Sequence, residues 1–368
     1  MLVNWSYLCI ILHNTERHST ILNLRILMSS FLIKSHAIFR ENPVSPSCHS
    51  ATLVETDRGL LAAWFSGTHE GHPDVSIWSA RLNPDGWSEP ACLADVPGVP
   101  LWNPVLFREA GGEIWLFYKI GPNVPAWTGA LIQSRDNGFT WSQPRLMPAG
   151  LLGPAKNKPL QLASGAILCP TSVETWNSWA CWIELSRDGG QSWRRYGPIT
   201  APPDDTVRTY AGSLVSATWD AASGTLLLPQ DFPGVIQPAI WEYAPDQLRM
   251  LMRTTCQVGT VCLAESLDGG MTWSPARKLD VPNPNSGLDT TRLADGRIAL
   301  VCNPVTSGRS PLALLISEDN DETFPWRVDL ETQPGEYSYP SILQTRDGSL
   351  HVVATYDRRR IEHYRVQL

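Results

Sequence analysis

Four groups of residues carry most of this sequence's capacity for chemistry. Residues 67–74, Gly67-Thr68-His69-Glu70-Gly71-His72-Pro73-Asp74, put two imidazoles and two carboxylates in one Gly-flanked loop. His and carboxylate side chains clustered on such a loop suit proton transfer; a solvated surface loop is the alternative. Near the C-terminus Glu336 precedes Tyr337, and Tyr339 follows two residues later. A neutral phenol, with a reference pKa of about 10, is a weak nucleophile unless a carboxylate takes its proton. Arg253 ends the apolar run LRMLMR, and a strand-end guanidinium aimed into a cleft can fork onto a carboxylate with two parallel hydrogen bonds. Lys156, Asn157 and Lys158 in GPAKNKP, with Asn285 and Asp289 in NPNSGLD, make two polar loops. Turn formation is the other reading of NPNSG.

The scaffold that must position these groups is written as a repeat. SRDNGFTW (134–141), SRDGGQSW (186–193) and SLDGGMTW (266–273) share the pattern S-x-D-x-G-x-[S/T]-W. SEDNDETF (317–324) keeps Ser, Asp and Thr but has Asp321 for Gly and Phe324 for Trp, and a fainter DGW ends at Trp87. The Asp accepts backbone N–H bonds across a tight turn, Gly supplies positive φ, and the aromatic packs beneath. These boxes are therefore expected to be structural. Their aromatics are spaced 54, 52, 80 and 51 residues apart. A period of roughly 50 residues with short apolar segments between turns means propeller blades of four strands each.

Strand candidates are 60–65, 114–119, 166–169, 225–228, 248–253, 298–302 and 350–355, most after a Gly-containing turn. The 80-residue gap predicts a blade without a box around Tyr210–Asp231, partly merged with the next. About six blades result. The last has only three strands after Tyr337, so a fourth is expected from the N-terminal side, near Ala37–Arg40, closing the ring and removing its sheet edges.

Composition narrows the partners. A net charge of −7 and a pI near 5.6 argue against nucleic acid, which requires a basic face. Sixteen tryptophans suit packing between layers, with some left to stack on sugars. Eight cysteines without a C-x-x-C pair read as free thiols of a reducing, cytoplasmic setting. Residues 1–34 carry an apolar run, Tyr7–Leu12, with no basic start and no cleavage site, so neither a signal peptide nor a membrane span is expected. They form an ill-defined extension, with Met28 an alternative start, before a single domain over 35–368.

Beyond the boxes, the runs PSCHSATLVE (46–55), FSGTHEGHPDVSIW (65–78), WNPVLF (102–107), GPAKNKP, IQP (236–238), NPNSGLD, GRSPL (308–312) and GEYSYPS (335–341) resemble the sialidase superfamily, within its sialidase-like branch with BNR (Asp-box) repeats. The resemblance implies an all-β, six-bladed β-propeller and an exo-acting glycoside hydrolase cleaving a terminal acidic sugar. Its carboxylate would be held by Arg253 and Arg309, matching two of the family's three arginines, with Tyr337 as nucleophile. Glu70 matches the acid/base position, with Asp74 and His69 beside it. His49 stands where the first arginine belongs, and Ile236-Gln237-Pro238 brings Gln237 where the family has a nucleophile-assisting acid. Glu336 is a substitute for that acid. Lys156, Lys158, Gln237, Asn285, Asp289 and Tyr339 would line the cleft. No cofactor and no metal are implied, although His49, His69 and His72 form an alternative metal set. Two further functions stay open: a lyase on uronate polymers using His49 and Tyr337, and a non-catalytic glycan-binding propeller.

Overall fold

A computed structural model describes residues 32–39, 43–175, 178–202, 218–220, 225–227 and 232–368. Among them are 27 strands and one short 3-10 turn, Val124–Ala126. β1 is Leu32–Ala37. Blade one contains β2 (Ser47–Thr56), β3 (Gly59–Gly67), β4 (Ser76–Asn83), β5 (Gly86–Trp87) and β6 (Ala91–Ala94). Blade two is β7 (Leu101–Arg108), β8 (Ile114–Ile120), β9 (Thr128–Ser134) and β10 (Arg145–Leu146). Blade three is β11 (Leu160–Gln161), β12 (Ile167–Glu174), β13 (Trp179–Ser186) and β14 (Arg194–Ile199). A separate hairpin pairs β15 (Thr218–Asp220) with β16 (Thr225–Leu227). Blade four is β17 (Val235–Ala244), β18 (Gln247–Thr254), β19 (Thr260–Ser266) and β20 (Arg277–Pro282). Blade five is β21 (Asp289–Arg292), β22 (Ile298–Cys302), β23 (Leu312–Ser317) and β24 (Trp326–Glu331). Blade six is β25 (Tyr337–Gln344), β26 (Leu350–Tyr356) and β27 (Arg360–Gln367), completed by β1 on β27.

Six antiparallel blades thus form a β-propeller. The closing strand does come from the N-terminal side, but as Leu32–Ala37 rather than Ala37–Arg40; Leu32 pairs with Gln367 and Ala37 with Glu362. Most of the proposed extra blade at Tyr210–Asp231 lies outside the described residues, of which only the β15–β16 hairpin is seen there. Within each blade alternate side chains face the two neighbours, and their apolar members fill the cores between sheets. Leu61, Phe65 and Ile77 of blade one, for example, meet Leu106, Leu116 and Ile132 of blade two. No helix among the described residues is long and apolar enough to cross a membrane.

The boxes work as their chemistry predicts. Ser186 Oγ bonds Asp188 and accepts from Gly190 N at 2.8 Å, while Asp188 accepts from Ser192 N at 2.9 Å. Ser134/Asp136 and Ser266/Asp268 repeat the pattern. Hydrogen bonds from Ser192 and Ser186 hold the Asp188 carboxyl at about 2. The box glycines do something more. A Cβ on Gly138, Gly190 or Gly270, all at positive φ, would lie 2.6–2.7 Å from Leu61, Trp115 or Leu168 respectively. Each of those residues sits near the start of the preceding blade's second strand, so every box presses its blade against the one before. In the fourth box, Asp321 replaces the glycine, and the preceding blade answers with Arg249, 3.1 Å from the fully buried carboxylate. Burial pushes the Asp321 carboxyl up to about 7, against the pull of Arg249.

That pair is a position-specific substitution for an apolar contact. Arg249→Leu alone leaves a buried carboxylate without its partner and is expected to destabilise the fold by about 3–5 kcal/mol. Adding Asp321→Gly should recover most of the loss, because the double variant restores the contact used at the other three boxes. Denaturant unfolding of both variants decides it; equal loss in single and double variants would mean that the contact is not interchangeable.

The closing seam contains a second titratable pair. His351 on β26 and His363 on β27 stack at 5.1 Å with 5° between planes, Nδ1 to Nε2 at 2.9 Å. Burial lowers them to about 4 and about 3 respectively. A depressed imidazole pKa favours the neutral folded form, so this contribution is complete above about pH 6.5, the unfolded value. It is lost as pH falls toward 4 and 3, by about 1.4 kcal/mol per pH unit for each proton taken up. The unfolding free energy of wild type relative to a His351→Phe, His363→Phe variant should fall over that window; a pH-independent difference would refute the coupling.

Candidate functional site

Local backbone geometry at the ring's centre decides which side chains reach its axis. Near the start of four innermost strands the ladder slips: at His49/Thr52, Trp102/Val105, Ile236/Ala239 and Ser338/Ser341. Each slip holds a non-glycine residue at positive φ: Ser50 (58°), Asn103 (38°), Gln237 (51°) and Tyr339 (51°). Three of them precede proline. Such conformations cost of order 1–3 kcal/mol each, and a bulge of this kind re-aims its side chain.

The re-aimed groups meet one another across the axis. Asn103 Nδ2 donates to Ala155 O at 3.1 Å, and Asn157 Nδ2 to Gln237 O at 2.9 Å. Gln237 Nε2 donates to the Tyr339 hydroxyl oxygen at 3.0 Å. Arg253, at the end of β18, donates through one amino group to Gln237 Oε1 (3.0 Å) and the Tyr339 hydroxyl oxygen (3.1 Å), and through Nε to Asn285 Oδ1 (2.9 Å). Because arginine only donates, these bonds fix the Gln237 amide with its NH2 toward the phenol.

His49 packs against Tyr339 with ring centroids 4.2 Å apart and planes tilted by 51°. It is fully buried, and neither ring nitrogen has a hydrogen-bond partner among the described residues. Burial, then the charges of Arg358, Arg309, Arg253 and Lys156, lower its pKa well below the usual imidazole range, so it is neutral at pH 7. Arg309 donates to Glu336 at 2.8 Å, and Arg358, on the β26–β27 turn, contacts both Glu336 (3.4 Å) and Glu70. Through these pairs Glu70 and Glu336 are brought to the same rim.

Several expectations change. Tyr337 does not face the axis. It is 3% exposed, packed among Leu293, Ile342, Val352 and Tyr364, with the Tyr356 ring 4.9 Å away and tilted by 44°. Strand alternation would send Tyr337 and Tyr339 the same way, but the intervening slip turns only Tyr339 inward. Asp74 is engaged in its own loop: it accepts from Thr68 N (2.9 Å), Thr68 Oγ1 (2.6 Å) and pairs with His72 at 2.7 Å. Despite the upward push of desolvation, these bonds hold its carboxyl at about 2, so it is a turn anchor and a poor proton donor. His69 is exposed and contacts its neighbours Glu70 O and His72.

Lys156, Lys158 and Asp289 are pins. The buried Lys156 ammonium donates to Asn157 Oδ1 (2.9 Å), Leu288 O (3.1 Å) and Pro340 O, joining blades three, five and six. Burial brings its pKa down to about 7. Lys158 pairs with Asp289 at 2.9 Å, and Asp289 also accepts from Ile342 N at 2.9 Å. The described residues hold no His, Cys, Asp and Glu cluster arranged for a metal.

Glu174 and Arg358 escaped the sequence reading. Lys119, Ser172 and Arg253 all lie four residues after Trp115, Leu168 and Arg249, the positions touched by the next blade's box. That register, read blade by blade, would have extended the third-blade strand to Glu174. Arg358 is one of three consecutive arginines, and nothing local distinguishes it.

Truncation separates core from site. Tyr337→Ala should cost about 3–5 kcal/mol, as for other buried aromatics, and the half-buried Tyr339→Ala clearly less. Equal losses in denaturant unfolding would place Tyr339 in the core.

Residues 58–352 match the model of the BNR repeat-like domain. No curated protein matches the chain. Among solved structures, a Dyadobacter fermentans protein of unknown function aligns with a TM-score of 0.71 at 17% identity, over 91% of this chain and 99% of that one. The Hadza microbial sialidase Hz136 gives 0.71 at 16%, over 91% and 68%. The NanB sialidase of Streptococcus pneumoniae gives 0.67 at 14%, over 90% and 70%. At such identities these structures speak for the fold: a sialidase-like propeller. With four-fifths of its length matched by the repeat model and Asp boxes pressing successive blades together, this chain belongs to the BNR repeat-like domain family.

Proposed function

We propose that the protein is an exo-acting glycoside hydrolase that binds a glycan by the carboxylate of a terminal acidic sugar. The observation that carries this reading is Arg253. The residue is only 7% exposed, yet its hydrogen-bond partners Gln237, Asn285 and Tyr339 are all neutral. No carboxylate pairs with it among the described residues, and a buried charge without a counter-ion is costly. A ligand carboxylate supplies the missing charge. Arg309 lies within electrostatic range of Arg253 and Tyr339 and is the second guanidinium of the grip.

In this reading Tyr339 takes the nucleophile's role first expected of Tyr337. Its oxygen attacks the anomeric carbon, the glycosidic C–O bond breaks, and Glu70 protonates the departing oxygen; water then releases the sugar. The phenolic proton passes to Glu336, since the Gln237 amide, oriented to donate, has no capacity to take it. That amide also favours a second reading, β-elimination from a uronate. Neutral His49 would accept the proton next to the carboxylate while the arginines offset the carboxylate's charge; the ring double bond forms as the glycosidic C–O bond breaks, and the Tyr339 hydroxyl gives its proton to the departing oxygen.

Product analysis separates the two. Acidic oligosaccharides should yield intact sugars on hydrolysis, and ends lighter by one water on elimination; unsaturated ends would replace the first reading by the second. Binding without turnover of either kind would make the site a glycan receptor. The carboxylate grip has its own test. Arg253→Lys loses the planar fork, worth roughly 1.5–3 kcal/mol or about tenfold to a hundredfold in affinity. The loss is expected with the acid form of a ligand and not with its carboxylate reduced to an alcohol. Equal loss on both forms would show that Arg253 serves the fold.

A further inference from the structure

A second cavity, of about 330 Å³, lies over blades two and three. Its walls are Trp127 and Thr128 after the 3-10 turn, residues 148–152, and Ser172 and Glu174 at the end of β12. We propose that this cavity is a subsite for an uncharged sugar, the unit next to the acidic sugar held at the axis. Its place beside an acidic sugar rests on the function proposed above; the cavity's chemistry does not.

Three observations lead there. Trp127 presents a half-buried indole backed by Trp102, with ring centroids 5.6 Å apart; a braced aromatic wall is the usual platform for the apolar face of a sugar ring. Glu174 offers carboxylate oxygens to hydroxyl groups. Its one hydrogen bond among the described residues is from Ser172 Oγ to Oε1, at 2.8 Å, and no ion pair engages it there. The basic group in this cavity, Arg195, is paired with Glu184 at 3.6 Å and lies over the face of Trp182, with its Nε unbonded among the described residues. With Arg195 shared with Glu184, the carboxylate left without an ion pair is Glu174, which disfavours a second acidic sugar and suits a neutral one. Burial raises the Glu174 pKa, in keeping with a carboxyl sheltered from water.

The wall is shared with the axial site. Ser172 Oγ, bonded to Glu174, also accepts from Gln237 N at 3.3 Å, and Gln237 holds Tyr339 and Arg253. Arg253 is the foremost charge acting to lower the Glu174 pKa. One strand end therefore faces both sites. At 330 Å³ the cavity is at the small end of ligand sites, roughly 300–1,000 Å³, which fits one ring.

The test uses ligand-observed NMR and calorimetry on the full chain. Lactose, cellobiose and mannobiose serve as neutral probes, and N-acetylneuraminic and galacturonic acids as acidic ones. At least one neutral probe should bind wild type, and Trp127→Ala and Glu174→Gln should each weaken it tenfold or more while leaving the acids unchanged. Arg253→Lys should do the converse. Because Trp127→Ala also removes packing on Trp102, Glu174→Gln, nearly isosteric, is the decisive variant if the first melts early. If no neutral probe binds, or binds both variants as tightly as wild type, the subsite is refuted. If neither acid binds wild type but a neutral sugar does, the axial reading fails and the subsite stands.

Discussion

Six sheets arranged about one axis leave little room where their innermost strands meet, and the way the backbone yields there governs everything functional. Four of those strands slip their ladder near their start and hold Ser50, Asn103, Gln237 and Tyr339 at positive φ. A regular strand would alternate its side chains between the two neighbouring blades and send none along the axis. The strain at each slip is sustained by partners: Asn103 and Asn157 donate to backbone carbonyls of the next blade, and Lys156 gathers acceptors from blades three, five and six. Site and scaffold are the same set of bonds seen from two sides.

Around that centre the polar groups divide by burial. Lys156, Asp289 and Asn157 are buried and fully engaged, so their charge and hydrogen-bonding capacity go to the fold. Arg253 is buried as well but meets only neutral acceptors, and His49 is buried with no acceptor or donor at either nitrogen among the described residues. Buried polar groups are ordinarily satisfied. His49 departs from that rule, and both it and Arg253 meet Tyr339, one against its ring and the other at its hydroxyl. Glu70, Glu336, Arg309 and Arg358 form the rim, where partial exposure lets ion pairs exchange at small cost.

The outer face follows a simpler rule. At three boxes a glycine allows contact with an apolar side chain of the preceding blade, and at the fourth the Asp321–Arg249 pair occupies the same space. The aspartate requires its partner, because alone it would be a buried, uncompensated charge, whereas Arg249 also reaches Glu265 and Glu322.

Much of this architecture is local chemistry and is therefore readable without a structure. S-x-D-x-G-x-[S/T]-W determines its own turn through bonds spanning no more than four residues, and its recurrence yields blade number, strand direction and ring closure. Arg253 could be placed at a strand end for the same reason. What sequence could not decide was orientation across the axis. Tyr337 and Tyr339 are two residues apart, alike in type and equally plausible; a single backbone slip, imposed by crowding between blades, sends one to the core and the other to the site. The lysines of GPAKNKP look like ligands until carbonyls of distant blades are seen to surround one of them, and Asp289 to hold the other. Glu174 and Arg358 gain meaning only from neighbours far away in the chain. Turn chemistry acts over a few residues, whereas the use of a charge depends on what six blades bring within a few ångströms of it.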